Sequence, residues 1–182
     1  MKTEVLIVGA GPVGLTLAAE LARYGVAVRV FDKSPQRSQL SKAIVVWSRT
    51  LELLDRAGCG SALVAAGLQV AAANVAASGK SIGQIEFGGV DTTHPYALML
   101  PQCETERLLE EHLNHMGVKL ERSVELLSFV DSGASVMSTL RHADGREENV
   151  ESAWMVGCDG ARSNVRDGLM KSSPGTRSRV VG

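Results

Sequence analysis

The chain has 182 residues, 45% of them apolar and 21% charged, with a formal net charge of −1. This length and balance suit a globular protein with a real core, and they give no general attraction to nucleic acid or to an anionic membrane. Three cysteines (Cys59, Cys103, Cys158) without CxxC spacing argue against a disulfide framework and against a dithiol redox centre, and they fit a reducing cytoplasm.

No apolar run approaches the ~18–20 residues that span a bilayer. Lys2 and the apolar residues after it look like a leader peptide at first sight. Glu4 and the Gly-Ala-Gly-Pro run interrupt that pattern.

Val5 to Asp32 reads VLIVGAGPVGLTLAAELARYGVAVRVFD. Leu6, Ile7 and Val8 close a short apolar run, the mark of a buried parallel strand. Gly9-Ala10-Gly11-Pro12-Val13-Gly14 then fits the GxGxxG turn. Gly14, Leu17, Ala18 and Leu21 share one face at helical spacing, and Gly25 ends the helix. Val28, Val30 and Phe31 give a second strand that stops at Asp32. In such a unit Gly9 makes the tight turn, Gly11 lets a pyrophosphate approach the backbone, and Gly14 lets the helix pack close to the sheet. Free N–H groups of the first helical turn would hold the phosphates. Asp32 is placed to accept hydrogen bonds from ribose hydroxyls. A mere glycine-rich turn would leave Asp32 without a role.

Residues 36–43 (QRSQLSKA) are polar and are expected to loop over the cofactor. Arg37 and Lys42 are the cations near the phosphates and ribose there, or plain surface charge. Arg49–Ala57 and Ser61–Ala66 read as short amphipathic helices, stopped by Gly58 and Gly67. Between Leu68 and Leu100 helical periodicity fades. Val70–Ala76, Ile82–Phe87 and Tyr96–Leu100 read as strands of an inserted antiparallel sheet. Such a sheet is expected to floor a substrate cavity, or else to be a structural excursion. Pro101–Met116 is a helix with Leu109, Leu113 and Met116 on its apolar stripe. His112 and His115 have a spacing that could share a metal, but no third ligand type converges on them, so no metal site is expected. Val118–Leu120 and Val124–Val130 are strand candidates. Ser135–Leu140 and Glu148–Glu151 form a hairpin around Asp144-Gly145, and Trp154-Met155-Val156 makes a further buried strand.

That strand runs into Gly157-Cys158-Asp159-Gly160-Ala161-Arg162-Ser163-Asn164-Val165-Arg166. Its glycines allow a close backbone turn beside a ligand, and Ser163 can cap the next helix. Asp159 sits at a strand's C-terminal end, where open α/β sheets bind ligands.

Three segments together resemble the N-terminal part of the FAD-dependent aromatic hydroxylases, the flavoprotein monooxygenases like para-hydroxybenzoate hydroxylase and phenol hydroxylase. They are GAGPVGLTLAAELARYG with Asp32, SKAIVVWSRTLELLDRAG, and GCDGARSNVR; the helix PQCETERLLEEHL, with Gln102, matches as well. The resemblance covers roughly residues 3–168. It implies an α/β, Rossmann-like FAD-binding fold with a mainly parallel sheet and an inserted antiparallel β segment. FAD binding would occupy 1–67 and 101–168, with 68–100 as a partial substrate domain and 169–182 as an atypical tail.

The resemblance also implies the site. Gly9, Gly11, Pro12, Val13 and Gly14 would face the FAD pyrophosphate, Asp32 and Lys33 the adenosine ribose, and Gln102, Asp159 and Gly160 the flavin side. Position 42 is usually arginine in such proteins. Lys42 keeps the charge but lacks the planar fork. NADPH or NADH would be the reducing co-substrate, oxygen the oxidant and a small aromatic compound, phenolic or polyketide-like, the substrate. FAD carries the chemistry, so no catalytic acid, base or nucleophile is assigned. Family members continue further and carry a later Gly-Asp motif that has no counterpart after Asp159. A homo-oligomer or a missing C-terminal half is therefore expected. Two other readings stay open: a non-catalytic or partner-dependent FAD- or nucleotide-binding fragment, and another FAD or NAD oxidoreductase on the same fold.

Overall fold

The computed structural model describes residues 2–37, 43–171 and 179–181. Lys42 and most of the polar loop before it lie outside the described residues. In chain order the elements are β1 (Lys2–Val8), α1 (Pro12–Arg23), β2 (Val28–Asp32), β3 (Val45–Val46), α2 (Ser48–Ala57), α3 (Gly60–Ala66), β4 (Leu68–Val70), β5 (Ala72–Ala77), β6 (Lys80–Glu86) and β7 (Ala97–Met99). There follow α4 (Gln102–His115), β8 (Leu120–Arg122), β9 (Glu125–Asp131), β10 (Val136–Arg141), β11 (Glu147–Gly157), a 3-10 turn (Gly160–Arg162), α5 (Asn164–Lys171) and β12 (Val180–Val181). The chain divides into two compact units, Met1–Arg37 with Leu109–Gly182, and Ser38–Leu108.

The first unit is built on a sheet of order β8-β2-β1-β11-β10-β9, with β12 also beside β11. β1 lies parallel to β2, with Val5 opposite Val28, and parallel to β11, with Leu6 opposite Met155. Central position explains its sequence. Val5 to Val8 are all buried, because both faces of the strand are covered. Leu6, Val8, Phe31, Val136, Leu140, Val150, Met155 and Val180 join one core cluster. Each such side chain contributes about 1.5–3 kcal/mol relative to exposure.

The β10–β11 hairpin turns at Asp144-Gly145 as its sequence expects, with the Gly145 N–H bonded to His142 O. Two expectations are corrected. Glu148–Glu151 and Trp154–Val156 are not separate strands but parts of the continuous eleven-residue β11. β1 pairs with it from Glu151 to Gly157, so nothing interrupts it. Trp154 is also half-exposed, its ring lying against the Arg179 guanidinium at 4.9 Å rather than inside the core.

A partly buried ion cluster ties the strands of this unit. The Arg29 guanidinium on β2 donates to Glu121 on β8 (2.6 and 2.9 Å) and to Glu148 on β11 (2.9 and 2.8 Å). His142 also bonds Glu148, at 2.9 Å. The Arg29 hydrogen bonds, set against burial, hold the Glu148 carboxyl down at about 2 and raise Arg29 above its usual value. A carboxyl depressed in the fold contributes stability above its unfolded pKa and loses it as pH falls through the folded one. Glu148→Gln is therefore expected to cost about 2 kcal/mol at neutral pH, after discounting for solvent screening. Urea melts of both proteins should converge as pH falls from about 4.5 towards about 2. A constant gap across that window would contradict the assignment.

The second unit holds the antiparallel sheet β3-β7-β4 and the hairpin β5-β6. Ser78 and Gly79 both have positive φ, which gives the two-residue turn matched to strand twist. The inserted region is antiparallel as its sequence expects. β3, only two residues long, has no sequence signature of its own. In α2, Leu51, Leu54 and Ala57 are buried while Ser48, Glu52 and Asp55 follow one another at helical spacing on another face. All three hold the segment before β7. Ser48 Oγ donates to Tyr96 O, Thr92 Oγ1 donates to Glu52 (2.6 Å), and His94 Nε2 meets Asp55 Oδ2 (2.5 Å).

Candidate functional site

The site lies at the C-terminal ends of β1, β2 and β11, where an open α/β sheet binds ligands. Gly9 has φ +103°, a left-handed conformation that other residues rarely adopt. A Cβ there would fall 2.5 Å from Cys158 O and 2.8 Å from Asp159 Cα. The glycine-rich turn and the Asp-Gly segment thus cross in contact. Cys158 N–H donates to Val8 O at 2.7 Å and fixes the crossing.

Gly14 closes the same corner from the helix side. A Cβ on it would lie 2.0 Å from Gly9 O. Pro12 opens α1 at a position that needs no N–H, and Val13 is exposed. Gly11 is different, with nothing within 4 Å of the Cβ it lacks. It borders a cavity also lined by Phe31, Asp32, Lys33, Val124, Leu126, Asp159 and Gly160. Leu15 N–H is the first to bond within the helix, to Gly11 O, and no side chain caps α1. The N–H groups of its first turn are therefore left for a ligand.

Asp32 organises the loop as well as lining the cavity. Its Oδ2 accepts the Ala10 N–H and its Oδ1 the Ser34 N–H, each at 2.8 Å. Each oxygen keeps lone-pair capacity for a hydroxyl. Lys33 beside it is exposed. Asp159 is committed more heavily. Its Oδ1 accepts the Ser163 hydroxyl (2.6 Å), and its Oδ2 accepts the N–H of Asn164 (2.6 Å) and of Val165 (3.4 Å). Ser163 caps α5 as its sequence expects, accepting the Arg166 N–H at 3.0 Å. Burial, and then the Asp159 charge, push the Cys158 thiol up, which keeps it protonated.

Gly9, Gly11, Asp32, Lys33, Asp159 and Gly160 thus border one cavity. Gln102 heads α4 in the second unit, where its N–H donates to Ala43 O and its Nε2 to Glu106. Sequence reasoning missed the wall formed by Val124, Glu125 and Leu126. The Val124 N–H bonds Asp32 O, which brings β9 to the end of β2. Nothing in the β9 sequence signals a cavity wall; the bond between Val124, just before it, and the end of β2 places it there. Among the described residues no group of three or more His, Cys, Asp or Glu side chains could hold a metal ion, and no helix is long and apolar enough to cross a membrane.

The arrangement fits a dinucleotide. Open space at Gly11, uncapped N–H groups beside it and a carboxylate at the end of β2 match pyrophosphate and ribose in turn. Comparison with known proteins agrees. The model of the FAD binding domain family matches residues 2–181, a span that includes β12. The chain is 44% identical over 168 residues to the 6-methylpretetramide 4-monooxygenase of Streptomyces rimosus, covering 91% of this chain and 30% of that protein. OxyS anhydrotetracycline hydroxylase from Streptomyces rimosus superposes with a TM-score of 0.84 at 36% identity, over 97% of this chain and 35% of that one. Aklavinone-11 hydroxylase, solved in a ternary complex with FAD and aklavinone, superposes at 0.81 with 30% identity, over 92% of this chain and 35% of that one. The chain spans about a third of the length of these relatives. On the glycine turn, the Asp-Gly crossing and a family match over nearly its whole length, the chain belongs to the FAD binding domain family.

Proposed function

We propose that this chain is the FAD-holding part of an NAD(P)H-dependent aromatic monooxygenase acting on a phenolic or polyketide-like ring. The observation that carries the reading is the corner where Gly9 meets Cys158–Asp159 beside the open face of Gly11. Gly9, Gly11, Pro12, Val13 and Gly14 would carry the pyrophosphate, with the α1 dipole behind them. Asp32 would take the ribose hydroxyls, and Lys33 would add a cation nearby. Asp159 and Gly160 would shape the flavin side through their backbone, with Gln102 also on that side, and Lys42 would be a cation near the phosphates and ribose. When bound, FAD supplies reducing equivalents from NADPH or NADH and the oxygen chemistry. The protein's part is to bind, orient and keep water away.

The rest of the relatives' length supports a larger enzyme, in which this part works with a further segment or a second copy. We place the protein in the cytoplasm, and its near-neutral net charge gives no general attraction to nucleic acid or an anionic membrane. FAD affinity tests the site. Asp32→Ala removes the ribose acceptor and also frees the Ala10 and Ser34 N–H groups. Fluorescence titration is expected to show affinity falling by about tenfold or more. Unchanged affinity in the folded variant would reject the assignment.

A further inference from the structure

The second unit carries three titratable side chains in one hydrogen-bonded series. His94 Nε2 meets Asp55 Oδ2 at 2.5 Å, and His94 Nδ1 meets the Tyr96 hydroxyl at 2.9 Å. Each member is held in place. The Asp55 carboxylate fills the space that Gly60 leaves, since a Cβ there would fall 1.9 Å from Asp55 Oδ1. His94 N–H donates to Thr92 Oγ1 at 3.2 Å, and the Thr92 hydroxyl donates to Glu52. Tyr96 N–H donates to His94 O at 2.8 Å, and Ser48 Oγ donates to Tyr96 O. The His94 and Tyr96 rings meet edge-to-face, with centroids 5.7 Å apart. The His94 side chain is only 12% exposed, and Tyr96 is half-buried.

The partners dictate where the protons sit. A carboxylate only accepts, so a neutral His94 carries its proton on Nε2 and leaves Nδ1 bare. The Tyr96 hydroxyl then donates to Nδ1, and its oxygen faces outward as an acceptor. A charged imidazole donates from both nitrogens. Nδ1–H then donates to the Tyr96 oxygen, and the hydroxyl hydrogen must turn outward. We infer that Asp55, His94 and Tyr96 form a pH-operated switch that reverses the direction in which the Tyr96 hydroxyl donates. The step exchanges one proton between solvent and His94 and rotates one O–H; no other bond changes. Imidazole is the side chain that changes charge between about pH 5 and 8. The other groups facing it hold theirs. Bonds from Thr92 and then Arg49 keep the Glu52 carboxyl below its usual range. Burial, and then the Asp55 charge, push the Tyr96 hydroxyl up, so it keeps its proton.

The test is an NMR pH titration of the purified wild-type chain, following the His94 ring nitrogens and the Tyr96 Cζ carbon. Tyr96→Phe and His94→Gln assign the signals, and circular dichroism checks that each variant is folded. At the alkaline end His94 is expected to show a protonated Nε2 and a bare Nδ1. Between about pH 5 and 8 the Tyr96 Cζ shift should step with the same midpoint as the His94 ring. Tyr96→Phe should keep the Nε2–H form, because Asp55 sets it. Asp55→Asn, whose amide both donates and accepts, should give a mixture of the two neutral forms and a smaller Tyr96 step. A wild-type His94 protonated on Nδ1 at the alkaline end would overturn the switch. So would a Tyr96 shift that stays flat while His94 titrates, or a His94 ring that keeps one charge across the range.

Discussion

Gly14→Ala is expected to be among the most damaging single changes in the chain. The new methyl group would sit 2.0 Å from Gly9 O and 3.2 Å from the Cys158 Cβ. Neither neighbour can retreat. Gly9 is held at φ +103° by its own N–H bond to Phe31 O (2.8 Å), and Cys158 by its bond to Val8 O. The helix must therefore lift off the sheet or the turn must open. Overpacking of this kind costs about 3 kcal/mol. In a protein of this size that corresponds to a loss of roughly 6–12 °C in Tm. FAD affinity should fall with it, because the N–H groups of α1 would no longer aim at the phosphates. Thermal melts that match wild type would contradict the packing described here.

The second large effect is expected from Asp159→Ala. That carboxylate accepts a hydroxyl and two backbone N–H groups at the start of α5. Its removal leaves those N–H groups without their acceptor while Ser163 still caps Arg166. A lost cap costs about 1–2 kcal/mol. The loss should appear first in α5, whose Val165 belongs to the core cluster. Hydrogen exchange is expected to rise in Asn164–Gly168 and in the Cys158–Asp159 backbone over Gly9. Asp159→Asn, which retains an acceptor oxygen, should recover part of the protection. Unaltered exchange in the alanine variant would show that Asp159 acts through contacts other than these.

Much of the first unit is legible in the residues themselves. A continuous apolar run gives way to helical spacing at Gly14, and the parallel β1–α1–β2 unit follows from that change of pattern. The Asp-Gly hairpin turn and the glycine stops are equally local signals. What escapes is non-local. Asp159 is a local exception: it reads as a ligand-facing acid from its place after a strand, yet its carboxylate is turned to Ser163, Asn164 and Val165 four to six residues on. The Ser48, Glu52 and Asp55 stripe is visible at helical spacing. Its partners Thr92, His94 and Tyr96 lie about forty residues away, where no local pattern points to them. β11 reads as two strands because Ser152 and Ala153 interrupt its apolar run, and only pairing with β1 shows it to be one.

The most direct test of the central claim is FAD retention by the purified chain, read as flavin absorbance after gel filtration, for wild type beside Gly11→Val. Nothing lies within 4 Å of the Gly11 Cβ position, so the variant should fold with nearly wild-type stability while its side chain fills the pyrophosphate approach. The expected result is close to one FAD per wild-type chain, displaced by ADP, and little or none in Gly11→Val. A folded wild type that holds no FAD, or a Gly11→Val variant that holds it equally well, would contradict a dinucleotide site at this turn.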